Sequence, residues 1–117
     1  MNDAREPDND ADATRKQLID LFLRRTQAEV EQMRRNVPRL ISGDDASWHE
    51  LRFHAQRISG QAGGLDLGVL SACARELAKL AEERFTRQEF DAHFLLSTTS
   101  AIEMVAIELN ELFSQVP

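Results

Sequence analysis

The sequence predicts an all-α domain. Residues 13–117 form an antiparallel up-down four-helix bundle, preceded by a mobile acidic tail at 1–12. Three observations predict it. Apolar residues recur at spacings of three and four in four successive stretches, the signature of amphipathic helices. No stretch alternates apolar and polar residues as a half-buried strand does, and no internal repeat is present. The connections are short, which favours antiparallel neighbours.

Residues 1–12 are rich in Asp, Asn and Ala and contain Pro7, so they have little to bury. The first helix begins near Thr14 and carries Ile19, Phe22, Leu23, Thr26, Val30, Met33 and Val37 on one stripe. Pro38 ends or kinks it, because proline lacks the backbone N–H and disfavours helical geometry before it. Gly43-Asp44-Asp45 reads as a turn, and Ser47-x-x-Glu50 as a capping box for the second helix. That helix has the cleanest stripe: Trp48, Leu51, Ala55, Ile58, Ala62 and Leu65. It ends between Gly63 and Gly68, where Asp66 is a candidate cap for a third helix over 69–83, with Leu70, Cys73, Leu77 and Leu80 inward. Thr86-x-x-Glu89 is a second capping box, opening a fourth helix with Phe90, Phe94, Ile102, Val105, Leu109 and Phe113 on its inner face.

Composition narrows the function. The 117 residues suffice for one core and are too few for two. A net charge of −6 argues against nucleic acid, whose phosphates require a surplus of Lys and Arg. The single cysteine, Cys73, excludes an internal disulfide and sits on an apolar stripe as a small core residue. The acidic, polar N-terminus is unlike a signal peptide, and no apolar run approaches the ~20 residues of a membrane span. A cytoplasmic protein without membrane insertion is expected.

The second helix holds the most informative stretch, Ala55-Gln56-Arg57-Ile58-Ser59-Gly60-Gln61-Ala62-Gly63. At about 100° per residue, Ala55, Ile58 and Ala62 point inward and Gln56 points outward. His49, Arg52, Ser59, Gly60 and Gly63 share its face. Each glycine in a helix costs about 1 kcal/mol against alanine. These glycines therefore serve either the close approach of another protein or tight packing of the domain's own backbones.

This stretch resembles the histidine-containing phosphotransfer (HPt) domains of two-component phosphorelays. The family pattern is an alanine, the phospho-histidine, an apolar residue two later and a glycine four later, followed by small residues and then leucines on the next helix. Ala55, Ile58, Gly60, Ala62 and Gly63 match it, and Leu70, Cys73 and Leu77 match the following helix. Gln56 occupies the histidine position. A register with His54 as acceptor fails, because it sets Ile58 at the glycine position and puts His54 about 200° around the helix from Gln56. The resemblance covers residues 14–115. It departs at Ser59, where active members usually carry a lysine, and at Asp66, where they carry a glycine.

The resemblance implies a pseudo-HPt domain, not an enzyme and without a cofactor. The amide nitrogen of Gln56 has a delocalised lone pair and is no nucleophile at neutral pH, but it can donate and accept hydrogen bonds. The expected partner is a response-regulator receiver domain or a histidine kinase, met by a face of His49, Arg52, Phe53, Gln56, Arg57, Ser59, Gly60 and Gly63. Two alternatives stand beside this. One is phosphotransfer through another histidine, with His49 on the outer face a better candidate than His54. The other is a helical dimerisation or scaffold module. Phe53, a large aromatic on the outer side, marks a binding surface or is covered by the tail or first helix. A metal site is not expected, since His49 and His54 diverge by about 140° on their helix. Glu76, Glu82 and Glu83 read as a solvated face, and Trp48 as the plug of the bundle end.

Overall fold

A computed structural model describes residues 5–87 and 90–115. Among them the chain is all-helical, with five helices and no strand: α1 (Arg5–Arg35), α2 (Val37–Ile41), α3 (Asp45–Gly64), α4 (Gly68–Thr86) and α5 (Ala92–Gln115). The fifth helix beyond the expected four is α2. It arises at Pro38, which sits in the first turn of α2, where its missing N–H breaks no helical bond. Among the described residues no helix is long and apolar enough to cross a membrane.

The inward stripes assemble one core. Phe22, Leu23, Val30 and Met33 of α1 meet Leu51, Ala55, Ile58 and Ala62 of α3, Leu70, Ala74 and Leu77 of α4, and Ile102, Val105 and Leu109 of α5. Trp48 closes one end as expected. It is fully buried, stacks on Phe94 at 5.6 Å, takes the Phe90 ring edge-on at 5.5 Å, and donates its indole N–H to the Leu40 carbonyl at 3.0 Å. α2 thus lids the Trp48 end. Val37, Leu65, Cys73, Leu80, Phe90 and Phe113 are only half-buried against this core. Burial pushes the Cys73 thiol up from its ordinary value, and Glu108 adds to the rise, which keeps it a neutral packing group.

Several boundaries differ from the expectation. The cap of α3 is Asp44, whose carboxylate accepts from the Ser47 backbone N–H and hydroxyl, while Glu50 accepts from the Asn36 side chain. Ser47 is therefore inside the helix, because Asp44 offers a charged acceptor three residues earlier. α5 starts at Ala92, with Asp91 accepting the Phe94 N–H at 2.8 Å; Glu89 of the expected capping box lies outside the described residues. α1 runs back to Arg5, so residues 5–12 join a helix that was expected to begin near Thr14. Pro7 lies in its first turn, where an N–H would have no helical partner.

The α3–α4 connection shows why the region ends α3. Asp66 takes φ +59°, the Asp66 N–H bonds the Gly63 carbonyl, and the Leu67 N–H bonds the Ala62 carbonyl at 2.9 Å. These paired bonds around one left-handed residue are a Schellman motif. Asp66 does not cap α4; the flanking residue is Leu67, which makes no side-chain cap. Gly43, at φ +82°, plays the same left-handed part after α2. Arg84 ties that turn to α4 by donating to the Gly43 carbonyl and to Asp45.

Candidate functional site

The outer face of α3 divides into two parts. On the α4 side, Gln56, Ser59 and Gly60 form one wall of a shallow groove of about 320 Å³, and Arg75, Lys79 and Glu82 of α4 form the other. α3 and α4 are the most extensively packed pair of helices in the chain, which fixes the groove's width. Gln56 is exposed and donates its amide N–H to the Glu82 carboxylate at 2.9 Å. Ser59 donates its hydroxyl to the Ser71 carbonyl at 3.1 Å, and Ser71 returns the bond to the Ser59 carbonyl at 2.9 Å.

The two glycines of this face have different surroundings. A Cβ at Gly63 would stand 3.4 Å from the Ser71 hydroxyl, an ordinary van der Waals contact, so this glycine faces α4 with room for little more than a methyl. A Cβ at Gly60 would meet nothing within 4 Å. No internal contact accounts for a helix-weakening residue there.

His49 and Arg52 continue the row toward the α2 end. His49 stacks on Phe85 at 4.1 Å, and the Arg52 guanidinium lies 5.7 Å from the same ring. Phe53 and Arg57 belong to the α1 side. Phe53 is 58 % exposed, so neither the first helix nor the described part of the N-terminal segment covers it. Arg57 lies over the Phe53 ring and forms an ion pair with Glu29 of α1, which also takes a hydrogen bond from His54 Nδ1 at 2.8 Å. Glu29 is buried, so His54 and Arg57 are anchored to α1 and not presented to solvent as a pair. Among the described residues no group of three or more His, Cys, Asp or Glu could hold a metal ion.

Three residues of this neighbourhood, Arg75, Lys79 and Glu29, escaped the sequence reading, and a fourth, Glu82, was assigned another role. Arg75 and Lys79 are one turn apart on α4, and Glu82 follows them; their approach to Gln56 depends on how α3 and α4 pair, which no single-helix wheel contains. Glu82 had been assigned to a solvated face; it is exposed, but its carboxylate holds Gln56. Glu29 was readable: it lies three residues after Thr26 and beside Val30, on the inward stripe of α1.

Chemically, position 56 itself offers an amide, which is not a nucleophile at neutral pH. The groove adds two cations and an unobstructed stretch of helix, and a phosphoryl group at position 56 would lie against the Glu82 carboxylate. Comparison of the chain with protein-family models, curated proteins and solved structures finds no match, so the reading of this groove rests on its own residues.

Proposed function

We propose that the chain is a pseudo-HPt domain: an antiparallel bundle of α1, α3, α4 and α5, lidded by α2, that docks on a receiver domain or histidine kinase of a phosphorelay and modulates signalling without carrying phosphate. The observation that carries this reading is Gly60. It is an exposed helical glycine with open space over it, one turn from the exposed Gln56, and close approach by another protein supplies the reason the fold does not. Two further observations support it. Asp66, ten residues after Gln56, holds the left-handed backbone that favours the glycine the resemblance calls for at that position. Arg75 and Lys79 bring positive charge to Gln56 from α4, which suits the acidic pocket of a receiver and stands in for the lysine absent at Ser59.

The test is titration of the chain with receiver domains, with and without prior phosphorylation, and following the label. Binding that weakens in Gly60→Ala and in Arg75→Glu/Lys79→Glu, with no label on the chain, is the expected result. Stable transfer of phosphoryl to the chain, or binding indifferent to all three substitutions, overturns the reading. Gln56→His asks whether the scaffold accepts phosphate once a nucleophile is restored.

A further inference from the structure

A second heptad-spaced row, apolar at Ala11, Leu18 and Leu21, runs along α1 beside the stripe the core uses. Ala11, Thr14, Leu18, Leu21 and Arg25 follow one another at spacings of three, four, three and four, the seam of a two-helix coiled coil. This stripe is uncovered: Leu18 is 52 % exposed and Leu21 64 %. α1 packs chiefly on α5 and only lightly on α3, so the α1–α3 edge stays open. The opening is a groove of about 660 Å³, floored by Phe22 and Leu65 and flanked by Leu18, Leu21 and Arg25.

The charges along α1 select the occupant. Asp10, Asp12, Arg15 and Lys16 lie before Leu18 and Asp20, Arg24 and Arg25 after it; at about 100° per residue Lys16 points away from the leucine row, and Asp10 and Arg25 flank it. Among the described residues Asp10 and Arg25 have no partner of opposite charge, whereas Arg24 is held by Asp20 at 3.1 Å and Arg15 by Asp66 at 3.7 Å. At 1.5 Å per residue, Asp10 and Arg25 stand about 12 and 10 Å on either side of Leu18. A second α1 laid antiparallel about Leu18 brings Arg25 of each copy over Ala11 of the other, a residue small enough to let the arginine stem pass, and beside Asp10. One two-fold axis thus joins the leucines to each other and both unpaired acids to both unpaired arginines.

We propose that the α1–α3 groove is the dimer interface of this protein, occupied by α1 of a second copy in antiparallel register. Leu18 and Leu21 form its apolar centre and Asp10–Arg25 pairs close both ends. This surface is separate from the Gln56 groove, so it stands or falls independently of receiver docking.

Sedimentation of the full chain over a wide concentration range, with circular dichroism to establish folding, tests it. The wild-type chain dimerises reversibly. Leu21→Asp, a change at an already exposed site, leaves the helical spectrum intact and weakens the dimer about tenfold or more. Asp10→Lys and Arg25→Glu each weaken self-association, since each sets like charges at both ends. An equimolar mixture of the two variants restores opposite charges at both ends and associates about as tightly as wild type. A wild-type chain that stays monomeric at every concentration overturns the proposal. So does a dimer indifferent to Leu21→Asp, one abolished by Phe53→Ser, or a mixture no tighter than its components.

Discussion

Replacing Gly60 with alanine sets folding and docking against each other. Gly60 lies inside α3, four residues before its end at Gly64, and the added methyl meets no atom within 4 Å. The substitution removes the backbone freedom of glycine from the unfolded chain and introduces no clash. Helix propensities assign that change about 0.8–1.0 kcal/mol in a helix interior. Position near the last turn trims this to about 0.5–1 kcal/mol, or about 2–5 °C in Tm for a chain of this size. Urea unfolding followed by circular dichroism and by Trp48 fluorescence reads the gain. The same methyl obstructs a partner lying directly on the helix, an overpacking of about 1–3 kcal/mol that weakens receiver binding roughly 5- to 150-fold. Gain of stability with loss of binding is the expected pair. A variant no more stable than wild type refutes the reasoning about the fold; a stabilised variant that binds a receiver unchanged refutes the reasoning about docking.

Four other outcomes are expected. Asp66→Gly relieves a left-handed residue and stabilises the chain by about 0.5–1 kcal/mol, read by the urea midpoint at unchanged slope. Thr26→Val stabilises by about 1 kcal/mol in the same assay, because the buried Thr26 hydroxyl has no partner among the described residues and a methyl of similar shape has nothing to leave unpaired. Trp48→Phe costs about 1–3 kcal/mol, since it removes the indole bond to the Leu40 carbonyl, which keeps the Gly43 N–H, and leaves a void beside Phe94; thermal unfolding measures it. The Arg34–Glu103 pair joins α1 to α5 through two hydrogen bonds of 2.7 and 2.9 Å, and the Arg34 guanidinium holds the Glu103 carboxyl below the usual carboxylate range. A depressed acid stabilises the fold above its unfolded pKa, and that contribution is lost as pH falls through the lower folded value. Both side chains are more than a third exposed, so the effect is under about 1 kcal/mol, and Glu103→Gln removes it from the acid limb of the stability–pH curve.

The helices were legible because their periodicity is a local property of the chain. Trp48, Ala55, Ile58 and Ala62 step along α3 and are all buried. Boundaries were less legible where two residues could serve as a cap: Ser47 matched a pattern, but Asp44 offered the charged acceptor. α2 followed from Pro38 only once the chain after it was seen to stay helical. Half of the candidate site was readable, namely the α3 wall of Gln56, Ser59 and Gly60. The α4 wall of Arg75, Lys79 and Glu82 was not, because it depends on the facing of two helices and not on the pattern of either. The exposed row of Ala11, Thr14, Leu18, Leu21 and Arg25 was present in the sequence but overshadowed by the stronger stripe next to it.

The reciprocal hydrogen bonds between Ser59 and Ser71 carry a consequence for reversibility. Each hydroxyl is committed to the other helix's backbone, so the pair clasps α3 to α4 beside Gln56. A lysine at Ser59 would add charge but remove one arm of that clasp, the bond to the Ser71 carbonyl, while the bond from the Ser71 hydroxyl to the backbone carbonyl at position 59 stays. On the reading proposed here, a return to phosphotransfer is therefore not a single step at position 56. Gln56→His alone puts the nucleophile beside the Glu82 carboxylate, with charge only from Arg75 and Lys79 across the groove, and Ser59→Lys alone loosens the wall on which it stands. Both positions of α3 must change together before nucleophile and helper share one turn. Interlocked dependence of this kind makes a lost activity hard to regain one substitution at a time.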